Sequence, residues 1–324
     1  MRIGVTGVAG FVGRHLVRAL SAVPGAEIHG ADRLESPAAA ADPELGSRLA
    51  GYRPLDVGDE AGVASWVRET RPDAVVHLAA QASAADALRD PVPTFRINAL
   101  GSLHLLEAGR LHAPGARLLL VSSADVYGAG APGERLREES PLRPLNPYAV
   151  SKASADLLGE LYAKTYGLPV IRTRTFSHTG PGQRPRFALA SWADQLARVD
   201  AGLAGPEVRV GNLDGVRDYG DVRDVARAYL ALLERGEKGA VYNVCSGAGH
   251  SLSELLRRLI DCSGVRAEVV RDPERVRARD AEHLVGDPAR LMEVTGWRPE
   301  YDIDRTLRDL YDDARARVRA ETGR

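Results

Sequence analysis

Lysine is nearly missing from this chain: it stands only at Lys152, Lys164 and Lys238, and arginine carries the rest of the 43 basic charges. Under such a bias toward arginine, a lysine that persists marks a place where a compact ammonium does what a guanidinium cannot. Cysteine is scarcer still. Cys245 and Cys262 are too few for a disulfide framework, and their spacing fits no zinc pair. Neither sign of charge is in excess, with 43 basic residues against 44 acidic ones. Nucleic-acid scaffolds and membrane-surface binders need a net basic face, so the balance argues against both as partners. No apolar run approaches the roughly 18 residues that a membrane span needs. The opening MRIGVTGVAGF has glycines in place of a basic n-region and a leucine-rich h-region, so no signal peptide is expected. What remains is a chain of 324 residues, 44% apolar and 27% charged, with room for one large domain or two ordinary ones. The expectation is a cytoplasmic α/β protein.

Arg2 to Thr6 is short, apolar and β-branched; it breaks into glycines and resumes with helical apolar spacing at Val12, Leu16 and Leu20. Strand, glycine turn and helix form the opening unit. Glu27–Gly30 reads as a second strand closed by Asp32, and Ala74–Leu78, Arg117–Val121, Val170–Thr173 and Ala240–Val244 read as further strands, most of them separated by helical patterns. Buried runs alternating with helices predict a Rossmann-type, doubly wound parallel sheet with helices on both faces. From Arg174 to Val222 the character changes, with Gly180-Pro181-Gly182, Gly205-Pro206 and Gly211-Asn212 punctuating short elements. The expected division is therefore a dinucleotide-binding domain over 1–173 and 222–246, with a smaller substrate lobe over 174–221 and 247–324. No internal repeat occurs, the only low-complexity tract is the alanine-rich loop Pro37–Asp42, and the final Arg-rich helix reads as a solvated face.

Gly7, Gly10 and Gly13 follow the first strand and open the first helix. Backbone without side chains can turn tightly there and approach a pyrophosphate, and the helix N-terminus supplies amide donors. Asp32 at the end of the next strand should accept hydrogen bonds from the adenosine ribose, which favours NAD, whereas Arg33 could accommodate a 2′-phosphate; the choice stays open. Tyr148 and Lys152 lie four apart on one face of a helix expected to start near Asn146-Pro147. Chance alone predicts only about 0.1 such Tyr-x-x-x-Lys pairs in a chain of this composition. A phenol with a pKa near 10 is a poor acid–base at neutral pH, and an adjacent ammonium is expected to bring it into range. Leu118–Val121 then delivers Ser122 and Ser123 at the end of a buried strand, where ligands bind in open α/β sheets. Ser123 is the expected hydrogen-bond partner of a substrate carbonyl or alcohol beside Tyr148. No Gly-x-Ser-x-Gly elbow, Walker-type lysine or His-x-x-x-His pair is present, so no metal is expected.

Thr6-Gly7-x-x-Gly10-Phe11-x-Gly13, His77-Leu78-Ala79-Ala80, Ser122-Ser123-x-x-Val126-Tyr127-Gly128 and Tyr148-x-x-x-Lys152 together resemble the extended short-chain dehydrogenase/reductases that modify nucleotide sugars. Further along, four blocks resemble the GDP-6-deoxy-D-mannose reductases and their GDP-mannose 4,6-dehydratase relatives. These are His178-x-Gly180-Pro181-Gly182-Gln183, Val210–Asp218, Asp221–Asp224 and Val241–Gly247; the tail Thr295-Gly296-Trp297-x-Pro299 fits the same group. The resemblance implies that Gly7, Gly10, Phe11, Val12, Asp56, Val57, Leu78, Ala79, Ala80 and Asn98 hold an NAD(P)H cofactor, together with Asp32, Arg33, Tyr148 and Lys152. It implies that Ser83, Ser123, Ser177, Gln183, Arg217, Arg277 and Asp280 meet a nucleotide-sugar substrate, the two arginines on its phosphates or base. It also implies a homodimer paired through the helix of Tyr148 and the helix before it. One departure bears on the sugar: the group usually has Asn-His where this chain has Ser177-His178.

Three reactions share such a scaffold. A 4,6-dehydratase needs a carboxylate base, typically glutamate, where this chain has Asp125. A 4-epimerase needs only the hydroxyl, tyrosine and lysine. A reductase delivers hydride to a C4 ketone with Tyr148 as proton donor and Lys152 as its electrostatic support. The missing glutamate favours the reductase acting on a nucleotide-linked 4-keto-6-deoxyhexose, GDP-linked by the resemblance, with dehydration and epimerisation as alternatives. A non-catalytic dinucleotide binder would keep the glycine turn but has no use for Ser123, Tyr148 and Lys152 together.

Overall fold

The computed structural model describes residues 1–37, 42–275 and 283–322. In chain order the strands are β1 (Arg2–Thr6), β2 (Glu27–Asp32), β3 (Gly51–Pro54), β4 (Ala74–His77), β5 (Arg117–Ser123), β6 (Val170–Thr175) and β7 (Ser177–Thr179), followed by β8 (Glu207–Val210), β9 (Val216–Asp221), β10 (Val241–Val244), β11 (Gly249–Ser251), β12 (Glu268–Arg271) and β13 (His283–Leu284). The helices are α1 (Phe11–Ser21), α2 (Glu60–Thr70), α3 (Ala84–Arg89), α4 (Pro91–Phe95), α5 (Gly101–His112), α6 (Pro147–Tyr166), α7 (Ala188–Asp200), α8 (Val222–Arg235), α9 (Leu252–Ser263), α10 (Ala289–Thr295) and α11 (Ile303–Thr322).

Seven strands form one parallel sheet in the order β3-β2-β1-β4-β5-β6-β10. Ile3, Val5, Val76 and Leu119 are fully buried at its centre, as expected of strands covered on both faces. One face packs on α1 and α8 through Leu16, Val17, Leu20, Val225, Tyr229 and Leu232. The other packs on α2, α5 and α6 through Val63, Trp66, Leu105, Leu106 and Tyr162. Register sets the functional edge: Thr6 pairs with His77, Asp32 with Pro54, and Ser123 with Thr175, so the carboxyl ends of these strands share one rim. Asn146 caps α6, its side chain accepting from the Ala149 amide at 2.9 Å, with Pro147 at the first helical position.

A second core joins α7, α9 and α11 to β8 through Leu189, Trp192, Leu196, Val208, Leu255, Leu259, Leu307 and Leu310. Beside it, β9 pairs with β7, β11 and β13. Two boundaries differ from the sequence expectation. β6 runs on through Arg174 and Thr175, so a break after residue 173 would cut a strand of the main sheet. α10 and Trp297, placed in the lobe by sequence, pack back onto the first core, where the Trp297 indole N–H donates to the Asp224 carbonyl at 3.1 Å. No helix among the described residues is long and apolar enough to cross a membrane.

Candidate active site

The turn after β1 is built for close approach. Gly7 sits at φ +69°, and a Cβ there would stand 2.7 Å from the Ala79 amide nitrogen of the loop after β4. At Gly13 a Cβ would meet the Gly7 carbonyl oxygen at 2.5 Å, so this glycine lets α1 pack onto its own turn. α1 begins after Gly10 with no side-chain cap, which leaves first-turn amide donors for an anion. The residues therefore fit a dinucleotide: the turn admits its pyrophosphate, and the uncapped helix start supplies donors for it.

Around this turn the expected cofactor residues fall on the same rim. Phe11 and Val12 form the first residues of α1 and are half-buried. The Asp32 carboxylate accepts from the amides of Ala9 at 3.0 Å and Leu34 at 3.4 Å, tying β2 to the glycine turn. Arg33 is exposed and has no ion pair among the described residues. Asp56 accepts from Arg96 and from the Gly58 amide, both at 2.8 Å, and Val57 beside it is buried. Leu78, Ala79 and Ala80 follow β4, where the Ala79 amide donates to Thr6 Oγ1 at 3.3 Å. Thr6 Oγ1 in turn lies 2.8 Å from Nδ1 of His77, whose ring is held neutral, its pKa pulled down to about 3 by burial and by the nearby Lys152 charge. Asn98 lies in a π-helical turn, Arg96–Leu100, between α4 and α5. Its amide pairs with both backbone groups of Gln81, at 2.9 and 3.0 Å, and donates to Ser151 on α6 at 2.9 Å.

At the head of β5 the reactive groups converge. Ser123 lies beside the Tyr148 hydroxyl and lowers its pKa, and its Oγ accepts from the Asp125 amide at 3.2 Å. Ser122 points the other way, donating to the Lys152 carbonyl at 3.0 Å and fastening α6 to the sheet. Lys152 is buried, and its ammonium donates to the Val121 carbonyl at 2.9 Å. Burial lowers its pKa from 10.5 to about 8. The spacing led us to expect that Lys152 would draw the phenol toward neutral pH. The structure shows the reverse. Burial raises the Tyr148 pKa above 10, the Asp125 charge raises it further, and the Ser123 hydrogen bond only partly opposes them. One Lys152 N–H is used on a strand carbonyl, and burial with the Asp125 charge sets the phenol's proton affinity, so the phenol stays protonated and is set to donate.

The expected substrate residues are more scattered. Ser83 caps α3, its Oγ accepting from the Asp86 amide at 3.1 Å. Ser177 opens β7, half-buried, directly after the sheet. Gln183 is buried and uses its amide within its own turn, accepting from Thr179 Oγ1 at 2.6 Å and donating to the His178 carbonyl at 3.2 Å. It shapes the turn rather than presenting a free amide. Arg217 lies buried in β9 and donates to the Val216 carbonyl at 3.0 Å. Arg277 and Asp280 lie outside the described residues.

Sequence reasoning passed over the contacts that tie α1 to the second core. Phe11 stacks on His178 at 6.1 Å between ring centroids, Arg14 donates to the Gly182 carbonyl at 2.8 Å, and His15 Nε2 lies 2.9 Å from the Pro181 carbonyl. The adjacent Arg14-His15 pair near the start of the first helix is the available signal. It also passed over Asp156, one turn beyond Lys152, which is fully buried against Arg172 and Arg174.

A parallel sheet, an uncapped glycine turn and a Ser–Tyr–Lys group on the sheet's carboxyl rim together define an extended short-chain dehydrogenase/reductase. The comparisons agree and are more specific. The chain belongs to the GDP-mannose 4,6 dehydratase family, whose model matches residues 5–310. It is 42% identical to a GDP-6-deoxy-D-mannose reductase of Pseudomonas aeruginosa over 99% of each chain. Among solved structures it resembles that organism's RMD complexed with NADPH, at a TM-score of 0.85 and 39% identity, covering 98% of this chain and 99% of the other. It is equally like the UDP-glucose 4-epimerase of Thermus thermophilus in complex with NAD, at a TM-score of 0.87 and 35% identity over 97% and 99% of the two chains.

Proposed function

We propose that this protein reduces the C4 ketone of a GDP-linked 4-keto-6-deoxyhexose to the alcohol, using NAD(P)H. The observation that carries the reading is a phenol, Tyr148, held protonated beside Ser123. When bound, the dinucleotide would supply the hydride for C4. Tyr148 gives its proton to the C4 oxygen, Ser123 hydrogen-bonds that oxygen as charge develops on it, and the buried Lys152 ammonium stabilises the phenolate left behind. Hydride and proton together complete the alcohol. Asp125 is one methylene shorter than the usual dehydratase base, which disfavours removal of a C5 proton, and its charge near Tyr148 raises the phenol's pKa. The 42% identity to a named reductase supports the same choice. Tyr148→Phe should abolish turnover of such a substrate while the dinucleotide Kd stays within about twofold, because only the transition-state proton donor is removed. Turnover retained in that variant would sink the role.

For the cofactor we propose NADPH. The Asp32 carboxylate is already engaged by two backbone amides, and the adjacent Arg33 guanidinium is exposed to meet a 2′-phosphate. Arg33→Ala should weaken NADPH by about tenfold or more with little change for NADH; equal effects on both would refute the assignment. The other cofactor residues proposed are Gly7, Gly10, Phe11, Val12, Asp56, Val57, Leu78, Ala79, Ala80 and Asn98, and Ser83, Ser177 and Arg217 are proposed to face the nucleotide sugar. Two free cysteines and no disulfide among the described residues fit a cytoplasmic enzyme. A homodimer is supported by the exposed apolar stripe Val150, Leu157 and Leu161 on α6 beside Leu100 at the head of α5. Sedimentation of Leu157→Glu should then report a monomer where the parent chain reports a dimer.

A further inference from the structure

Two arginines alternate through the buried end of β6, and the chemistry above uses neither. Arg172 and Arg174 are 4% and 5% exposed, and both reach Asp156, which is fully buried on α6. Arg174 makes the wider set of contacts. Its Nε and Nη2 donate to Asp156 Oδ2 at 2.8 and 2.7 Å, while Nη1 donates to the Tyr127 hydroxyl at 3.1 Å and to the Glu138 carbonyl at 2.7 Å. The Tyr127 hydroxyl in turn donates to Asn243 Oδ1 at 2.7 Å, on the edge strand β10. Asp156 lies one helical turn after Lys152, and Tyr127 lies at the end of the short turn that starts from Ser123 and carries Asp125. One guanidinium therefore grips both chain segments that carry the reactive groups.

We propose that Arg174 is a positioning residue: with Tyr127 and Asp156 as its two holds, it fixes the Ser123 turn against the head of α6 so that Ser123 and Tyr148 meet. The assay rests on the reductase reading; the geometry does not. Buried ion clusters are a poor device for stability alone, since apolar replacements of similar volume are often as good or better. What a guanidinium offers instead is a planar fork of five donors at fixed angles, which suits an assignment to three acceptors on separate segments. A lysine could reach Asp156 but could not hold Tyr127 and Glu138 at the same time.

The gentlest test is Tyr127→Phe, which keeps the ring in the core and removes only the hydroxyl that Arg174 holds. It should lower kcat by about tenfold or more while the sugar KM and the dinucleotide Kd stay within about twofold, as expected when reacting groups are misplaced but binding surfaces are not. Arg174→Lys should lose at least as much, and adding Tyr127→Phe to it should cost nothing further, because both act through one linkage. A Tyr127→Phe enzyme with unchanged kcat overturns the proposal whatever its Tm, and so do strictly additive losses in the double variant. Should the parent protein fail to reduce any 4-keto sugar, the functional reading falls and the positioning claim is read without substrate. A crystal structure of Tyr127→Phe should then show the Ser123 and Tyr148 hydroxyls moved apart, and an unmoved pair overturns the claim.

Discussion

Replacing the buried lysine by methionine should make this enzyme inactive and more stable at once. Lys152 carries its charge in a site where burial alone lowers its pKa from 10.5 to about 8. Keeping the ammonium charged in the folded protein therefore costs about 3 kcal/mol relative to the unfolded chain at neutral pH, at 1.36 kcal/mol per pH unit. Lys152→Met removes that cost with a side chain of similar length. It forfeits the 2.9 Å hydrogen bond to the Val121 carbonyl, worth about 1 kcal/mol, so the net gain is about 2 kcal/mol. At about 2–4 °C per kcal/mol for chains of domain size, Tm should rise by several degrees. The assay is thermal or urea unfolding of cofactor-free protein, since bound dinucleotide would stabilise the parent chain selectively. The sign with pH follows. Between about 8 and 10.5 the unfolded chain holds the extra proton, so the parent gains stability as pH rises through that window and the gap to the variant closes. A variant no more stable than the parent at neutral pH, or a gap that does not narrow in alkali, refutes the reasoning.

Gly13→Ala should weaken both fold and cofactor binding, because the new methyl would stand 2.5 Å from the carbonyl oxygens of Gly7 and Val8; dinucleotide titration and Tm together report it, and a neutral outcome would show that the turn can open. Asp156→Asn should destabilise by about 3–5 kcal/mol in urea unfolding, because it leaves the buried Arg174 guanidinium without a carboxylate and Arg172 with Glu160 alone. The alkaline side of kcat/KM should fall with a midpoint near Lys152's pKa of about 8 in the free enzyme, well before the phenol ionises, and a profile flat to pH 10 would contradict that order.

The parallel sheet and its rim were legible because both rest on local signals. The sequence marks Arg2–Thr6 to the residue, ends the β5 strand at its serines, and starts α6 where Asn146 caps it. The end of β6 was misjudged for a physical reason. Arg174 looks like a strand leaving the core, and Asp156, arriving from α6, with Tyr127 and the Glu138 carbonyl makes its burial tolerable. The return of α10 and Trp297 to the first core was hidden in the same way, since their prolines and turns look the same whichever core receives them. Tyr148 and Lys152 were found from spacing, but the state of the phenol was not, because burial and the Asp125 charge are properties of the folded site.

The register of the sheet also dictates when this site can exist during folding. Its parts come from both ends of long chain separations: Thr6 meets His77 across 71 residues, and Tyr127 meets Asn243 across 116. Ser123, Tyr148 and Lys152 lie within one β5–α6 stretch, but the glycine-turn rim and the Tyr127 hold around them do not, so chain fragments should be inert, and parallel pairings of this range form late and slowly. Catalytic activity is thus a report on the last strands to pair, and after dilution from denaturant it should return well after the helices do.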